Sequence, residues 1–313
     1  MKRSVTWILG AVLLAVTASP WTTGADLYVL TNGIADLSGG ATTFGKIDTS
    51  TGVFTKINII GAGSDGSGNI NGAAGNLARI PDVPGEENFL YFTLGTGINT
   101  ILKRLNLSTN EIDGFSIDIG DPGRTIMGMT YANGNSGDTF YAWEQNGDPK
   151  DIYGTISPTD GTWQGLTNDP DIGATGIPIG GRLANLNGTI YGAFNADTLG
   201  QFGTIGTSAE DVFVVEKLDD LYMNMVLAAD SDASTLYGVY GSGEGQRLYT
   251  INTTGVGGLV GDLTLVKTIA GASIFFHGAV FAPTPVPEPS TYALSMIAAC
   301  TAGWAMRRKK KRS

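Results

Sequence analysis

Histidine and cysteine, the residues that most often carry nucleophilic chemistry, are almost absent from this 313-residue chain. It contains one histidine, His277, and one cysteine, Cys300, which lies in an apolar run near the C-terminus. A serine nucleophile needs a base within hydrogen-bond reach, and the chain has no Gly-x-Ser-x-Gly sequence to present one. The histidine count also excludes a histidine-rich zinc site. We therefore expect His277 to be a packed structural residue and the protein not to be an enzyme.

One glycine- and asparagine-rich stretch has side-chain oxygens at alternating positions, namely Asp65, Ser67, Asn69 and Asn71. Oxygens spaced in this way begin the loops that bind Ca²⁺. The stretch departs from such a loop at Ile70, where glycine belongs, and at Asn76, where a bidentate glutamate belongs. A polar surface loop is the simpler interpretation, and a calcium-dependent adhesin or lectin is the alternative. No cofactor other than this possible calcium is expected.

The first 25 residues have the pattern of a secretory signal peptide. Lys2 and Arg3 precede an apolar run over residues 5–18, and small residues suitable for cleavage follow. The body that remains, 26–283, contains 11 of the 19 basic residues, because two lie in the signal and six in the last seven positions. It contains 28 of the 29 acidic residues, which gives it a net charge of about −17. Such a charge opposes binding to nucleic acid or anionic lipid.

The body carries an internal repeat. An aliphatic or aromatic residue followed by tyrosine recurs five times, at intervals of 46 to 63 residues. These doublets are Leu27-Tyr28, Leu90-Tyr91, Phe140-Tyr141, Ile190-Tyr191 and Leu236-Tyr237. Each is followed, 14 to 19 residues after its tyrosine, by an aliphatic residue and a polar turn rich in Asn, Asp, Ser, Thr and Gly. Such turns are typical of β-hairpins.

Strand-like segments before the doublets complete a four-stranded unit. The sequences GNLARI (75–80), GMTYA (128–132), GRLANL (181–186) and MVLAAD (225–230) predict innermost strands. A four-stranded unit of 40–50 residues is the period of a β-propeller blade. The 46 glycines, which weaken helices and serve turns, agree with an all-β fold. The alternatives are a β-sandwich or a β-solenoid.

The two ends of the body complement each other. The first doublet has no strand before it, whereas the last strand-like segment, 277–283, has no doublet after it. We predict five four-stranded blades, closed by pairing of strand 277–283 with the N-terminal blade. The repeat resembles that of exported bacterial propeller-like proteins whose blades carry Leu-Tyr, Ile-(Asp/Asn) and Thr-Gly elements.

Carboxylates provide the main alternative to a non-catalytic body. Paired Asp and Glu residues hydrolyse glycosidic bonds, and five-bladed propellers include glycoside hydrolases that hold such a pair near the axis. Asp82, Asp230 and Asp232 are the candidates, although the sequence around the last two is typical of a hairpin turn. A lectin is a further alternative, since Trp143 and Trp163 could stack on sugar rings.

The last 30 residues, 284–313, combine three elements in a fixed order. Pro287, Glu288 and Pro289 are followed by an apolar run over 292–306, and a basic cluster ends the chain. That cluster comprises Arg307, Arg308, Lys309, Lys310, Lys311 and Arg312. The apolar run has 15 residues, fewer than the ~20 that span a bilayer comfortably, and the positive-inside rule keeps the basic end cytoplasmic.

This tail resembles the PEP-CTERM sorting signal of Gram-negative bacteria that make exopolysaccharide. The resemblance implies transient anchoring in the inner membrane and cleavage by an exosortase-type enzyme. It also implies release to the cell surface or the extracellular matrix. We therefore expect an exported non-catalytic binding or structural module, with extracellular polysaccharide as a possible partner. The alternatives are a propeller-fold carbohydrate-active enzyme and a calcium-dependent adhesin or lectin.

Overall fold

The computed structural model describes residues 25–32, 42–60, 74–81, 83–95, 100–119, 125–134, 137–145, 153–167, 182–196, 199–207, 214–242, 245–271 and 275–283. Their strands are β1 (Ala25–Asn32), β2 (Thr42–Ile47), β3 (Phe54–Ile60), β4 (Ala74–Ala78), β5 (Phe89–Gly95), β6 (Thr100–Asn106), β7 (Glu111–Asp118), β8 (Thr125–Gly134), β9 (Gly137–Gln145), β10 (Tyr153–Ile156), β11 (Trp163–Thr167), β12 (Arg182–Leu186), β13 (Thr189–Ala196), β14 (Leu199–Ile205), β15 (Val214–Leu218), β16 (Met225–Asp230), β17 (Thr235–Ser242), β18 (Gly245–Ile251), β19 (Leu263–Thr268) and β20 (Phe275–Pro283). A short 3₁₀ helix, Asp220–Asn224, precedes β16.

These strands form five antiparallel four-stranded sheets, which are the blades of a β-propeller. Blade 1 has the order β20-β1-β2-β3, and blades 2 to 5 comprise β4–β7, β8–β11, β12–β15 and β16–β19 in chain order. The innermost strands β20, β4, β8, β12 and β16 each pack against the next around the axis, and β16 packs against β20. The predicted all-β, five-bladed fold is confirmed. The last strand, β20, pairs with β1 from Ala25↔Pro283 to Asn32↔Phe275.

The tyrosine doublet has the same place in every blade. It lies in the second strand, and the residue before tyrosine pairs with the aliphatic residue of the third strand: Leu27↔Ile47, Leu90↔Leu105, Phe140↔Ile156, Ile190↔Ile205 and Leu236↔Ile251. Successive side chains of a strand point to opposite faces of its sheet. The first residue of each doublet therefore faces the preceding blade, and the tyrosine faces the following one.

The core consists of five clusters, one between each pair of neighbouring blades in the described chain. Blade 1 shows the principle, since Leu27 packs against blade 5 whereas Tyr28 packs against blade 2. Both faces of each blade are thus buried, and this is the physical reason for consecutive apolar residues in the second strands. The cluster between blades 3 and 4 includes Trp143, whose ring centroid lies 4.5 Å from that of Phe194.

The polar turn between the third and fourth strands also joins neighbouring blades. Gly52, Gly161 and Gly261 lie in these turns with φ of 77°, 73° and 85°, which favours glycine. Gly52 O accepts a hydrogen bond of 3.0 Å from the backbone N–H of Ala270 in blade 5. A Cβ on Gly161 would lie 2.7 Å from Asp118 O in blade 2. The glycines therefore permit close contact between blades in addition to closing hairpins.

Candidate functional site

All five blades contribute residues to the axis of the ring. At the C-terminal ends of the innermost strands, residues from β4, β8, β12, β16, β20 and their immediate ends line a cavity of about 100 Å³. Most of the lining is aliphatic, and its polar members are Arg79, Thr130, Tyr131, Asn185 and Ser231. We call this feature the axial cavity. Among the described residues that line it there is no carboxylate.

Two amide side chains fix neighbouring innermost strands to each other beside the axis. Asn185 Nδ2 donates to Tyr131 O at 2.9 Å and so joins β12 to β8. Asn76 is buried, has φ of 69°, and donates from Nδ2 to Ile126 O at 3.0 Å, joining β4 to β8. Asparagine tolerates this left-handed backbone better than most residues. The cavity wall is thus held by interblade hydrogen bonds as well as by packing.

Arg182 and His277 lie at the opposite, N-terminal ends of the innermost strands β12 and β20. Burial lowers the pKa of the Arg182 guanidinium to about 10, so this group remains charged at neutral pH. Burial, and secondly the charge of Arg182, lower the pKa of His277 to about 4, so its imidazole is neutral at pH 7. The ring atom Nε2 of His277 is buried and has no hydrogen-bond partner within the described part of the chain.

Of the three carboxylates considered from the sequence, the two that the structure describes, Asp230 and Asp232, lie together in one hairpin turn. Asp230 ends β16, and its Oδ1 accepts from the backbone N–H of Ala233 at 3.1 Å, as an ordinary turn residue does. Asp232 is exposed in the same hairpin, and Asp82 lies outside the described residues. Trp143 is 0% exposed and so cannot present its ring to a sugar, whereas Trp163 is partly buried on β11.

Several predicted features lie outside the described residues. They are the calcium candidate at Asp65, Ser67, Asn69 and Asn71, the sorting motif at Pro287, Glu288 and Pro289, and the basic cluster at 307–312. Across the described ranges, no group of three or more His, Cys, Asp or Glu side chains could hold a metal ion. The same ranges contain no helix with the length and apolarity needed to cross a membrane.

Blade 2 contains a charged cluster that no sequence motif indicates. Arg104 binds Asp113 through two nitrogens, Nε at 2.7 Å and Nη2 at 2.6 Å, and Glu86 through Nη1 at 3.3 Å. Its guanidinium also lies 3.8 Å from the centre of the Phe89 ring. Arg104 pairs in register with Tyr91, at the position that Lys46, Thr155, Thr204 and Thr250 occupy in the other blades. The cluster is fully engaged in joining strands, so we assign it a structural role.

Arg79 and Arg182 were also overlooked as site residues, although the sequence contains a signal for both. Each lies in a segment predicted as an innermost strand, where the neighbouring residues are small or aliphatic. A cation at such a position points to the axis or to a strand end. The sequence could thus have identified the positions, but it could not show that the charge of Arg182 lowers the pKa of His277.

Comparison with known families identifies a sorting motif in the C-terminal segment. The PEP-CTERM protein-sorting motif matches residues 285–310. The chain is therefore an exported protein that carries a signal for sorting to the cell envelope or surface and for processing by an exosortase-type enzyme. Comparison with curated proteins gives no significant match.

Solved structures similar to this chain are distant in sequence. A nidogen/laminin complex is 14% identical, with 84% of this chain and 100% of that chain covered and a TM-score of 0.49. TolB from Acinetobacter baumannii is 13% identical, with 88% and 71% covered and a TM-score of 0.46. An engineered GH43 glycoside hydrolase is 13% identical, with 80% and 53% covered and a TM-score of 0.40. Similarities at this level do not assign a function.

Proposed function

We propose that the exported body is a non-catalytic binding module of the cell surface or extracellular polysaccharide matrix, and that its ligand enters the axial cavity. The observation that carries this proposal is the shared lining of the cavity, in which one guanidinium, one amide and three hydroxyl groups interrupt an aliphatic wall. A few polar groups converging in an otherwise apolar concavity are typical of small-ligand sites. The hydroxyl groups of a terminal sugar would find both donors and acceptors there.

The same lining supports a non-catalytic role. Glycoside hydrolysis requires two carboxylic groups about 5–10 Å apart on either side of the scissile bond. Asp230, the described candidate acid that ends an innermost strand, is engaged in its own turn. A tail that first retains the body at the inner membrane and is then removed would deliver this module to the matrix.

Blocking the mouth of the axial cavity tests this function. Ser231 is exposed at the rim, so Ser231→Trp places an indole over the mouth without entering the core. We expect saccharides that bind the purified exported protein on a glycan array to bind the variant at least about tenfold more weakly. Asp232→Trp, on the same hairpin but outside the cavity lining, is the matched control and should bind normally. Equal binding by both variants, or release of shortened sugars from a bound glycan, would refute the proposal.

The sorting step has its own test in the producing cell. Glu288→Ala removes the acidic residue between the two prolines and is expected to prevent processing, so that the protein accumulates in the membrane fraction with its basic C-terminus intact. Intact-mass measurement of the exported protein provides the readout. Glu111→Ala, a change of the same type at an exposed position of β7, should leave processing unchanged. A wild-type exported form that still ends at Ser313 would contradict cleavage.

A further inference from the structure

The turn between β18 and β19 departs from the repeat. It comprises eleven residues, whereas the corresponding turns of blades 1, 2 and 3 have six, four and six, as the ranges 252–262, 48–53, 107–110 and 157–162 show. It carries Val256 and Leu259, which are 82% and 68% exposed, more than any other large apolar side chain in the described part of the chain. Two to five residues are enough to close a hairpin, so the additional residues do more than connect two strands.

Hydrogen bonds fix this long turn against blade 4. Asp262 Oδ2 accepts from the backbone N–H of Leu259 at 2.7 Å, and its Oδ1 accepts from Lys217 Nζ of β15 at 2.7 Å. The hydroxyl group of Tyr222, in the 3₁₀ helix of blade 4, donates to the carbonyl oxygen of Gly261. The turn therefore forms a preorganised wall beside blade 4.

A cleft of about 690 Å³, which we call the outer cleft, lies between this turn and blade 4. Blade 4 contributes Lys217, Asp219 and Leu221 to its lining, and blade 5 contributes the end of β18, much of the turn and the start of β19. Its volume lies within the range of roughly 300–1,000 Å³ that is typical of small-ligand sites. Because β15 and β19 are the outermost strands of their blades, the cleft opens on the outer wall of the ring and can admit the middle of a long chain.

The polar groups of the outer cleft include both donors and acceptors. The Lys217 ammonium uses one of its three N–H groups on Asp262, which leaves two for a ligand. Asp219 Oδ1 accepts from the backbone N–H of Leu221 at 3.0 Å, and its Oδ2 has no hydrogen-bond partner among the described residues. The aliphatic side chains of Leu221 and Val256 line the same space. A saccharide matches this lining, because its hydroxyl groups both donate and accept and its C–H groups pack on aliphatic surface.

Charge decides which class of saccharide fits. Two carboxylates, Asp219 and Asp262, and one ammonium, Lys217, line the cleft, and the body carries about 17 net negative charges. An acidic saccharide would be repelled by this field, and the ammonium that could attract it is already paired with Asp262.

We propose that the outer cleft binds an internal segment of a neutral polysaccharide, with Asp219 accepting from sugar hydroxyl groups, Lys217 donating to them and Val256 packing against a ring face. The inference rests on the proposed function for its saccharide partner. It adds a second site, separate from the axial cavity, and an uncharged ligand class.

Calorimetric titration of the exported protein with Ser231→Trp, which blocks the axial cavity, tests the outer cleft by itself. The neutral probes are cellotriose, mannotriose and xylotriose, and the charged probes are trimers of glucuronic acid and of glucosamine. We expect at least one neutral trimer to bind and to raise the melting temperature, and both charged trimers to bind at least about tenfold more weakly. Binding of no neutral trimer, or equally tight binding of a charged one, would overturn the proposal.

A substitution at Asp219 locates the site. Asp219→Asn keeps an oxygen that can accept from the Leu221 N–H but removes the charge, and it should weaken binding of the neutral trimer by about tenfold. Asp220→Asn makes the same change at the next residue, which is exposed and outside the cleft lining, and is the matched control.

A second pair of variants addresses the apolar contact. Val256→Ser should weaken binding by about threefold, whereas Leu259→Ser, exposed in the same turn but outside the cleft lining, should bind normally. If melting temperatures show that Asp219→Asn is destabilised, this pair is the deciding comparison, because both side chains are mostly in solvent. Unchanged binding in Asp219→Asn and Val256→Ser would show that the ligand binds elsewhere.

The two proposals fail in different ways. If neutral glycans lose binding in Ser231→Trp but not in the Asp219 and Val256 variants, the ligand binds in the axial cavity and the inference is wrong while the proposed function stands. If binding is lost in the cleft variants and not in Ser231→Trp, the axial site is wrong and the inference stands. Absence of binding to every saccharide would contradict both.

Discussion

Replacing Gly278 with alanine is expected to destabilise the folded ring by about 2–3 kcal/mol, the cost of forcing an extra methyl group into a packed interior. Gly278 lies in β20, where the last strand packs against β4 of the next blade. A Cβ at this position would lie 2.6 Å from Leu77 N and 2.7 Å from Asn76 C. Both are backbone atoms, and the hydrogen bond from Asn76 to Ile126 O ties this segment to blade 3. Relief of this steric overlap would therefore require movement of a strand.

Equilibrium unfolding in urea provides the measurement, with the midpoint and the slope compared with wild type. Gly114→Ala on β7 is the matched control, since a Cβ there would meet no atom within 4 Å. It should leave the free energy of unfolding unchanged or raise it slightly, because alanine loses less backbone entropy than glycine. If both variants unfolded at the wild-type midpoint, the close approach of β20 to β4 would not exist in solution.

The repeat could be predicted from the sequence because the same local pattern of apolar residues and turns recurs in each blade. Consecutive residues such as Leu90 and Tyr91 place large side chains on both faces of one strand. A turn rich in Asn, Ser and Thr follows at a similar distance in each unit. These are local signals, and they position the second, third and fourth strands of a blade. The complementary ends, 26 and 283, then limit the number of complete units. Together these features predict five blades.

The residues that line the axis could not be predicted in the same way, because the contacts there join residues that are far apart in the sequence. The hydrogen bond from Asn76 to Ile126 O spans 50 residues, and that from Asn185 to Tyr131 O spans 54. No local pattern encodes such pairs. The repeat sets the number of blades, whereas the residues that depart from the repeat determine what lines the axis.

His277 gives the fold a pH dependence that can be measured. Its folded pKa of about 4 lies below the value of 6.5 expected for an unfolded chain, mainly because burial disfavours the charged ring. Between these two values the unfolded chain binds more protons than the folded protein, so stability falls as the pH is lowered. We expect a loss of about 3 kcal/mol between pH 7 and pH 4, with about 2 kcal/mol of it lost by pH 5. Urea midpoints at pH 7, 6, 5 and 4.5 measure this loss.

The carboxylates with clearly lowered pKa values do not contribute to the loss of stability between pH 7 and pH 4.5. Asp48, Asp160 and Asp262 are stabilised as anions mainly by side-chain hydrogen bonds from Ser50, Ser157 and Lys217, so they release stability only below the normal aspartate value of 3.8. His277→Gln, which keeps a polar side chain but cannot be protonated, should therefore flatten the profile between pH 7 and pH 5. An equally steep decline in His277→Gln would show that the histidine titrates normally and is not buried. A flattened profile would instead show that His277 is the group that is buried as a neutral imidazole.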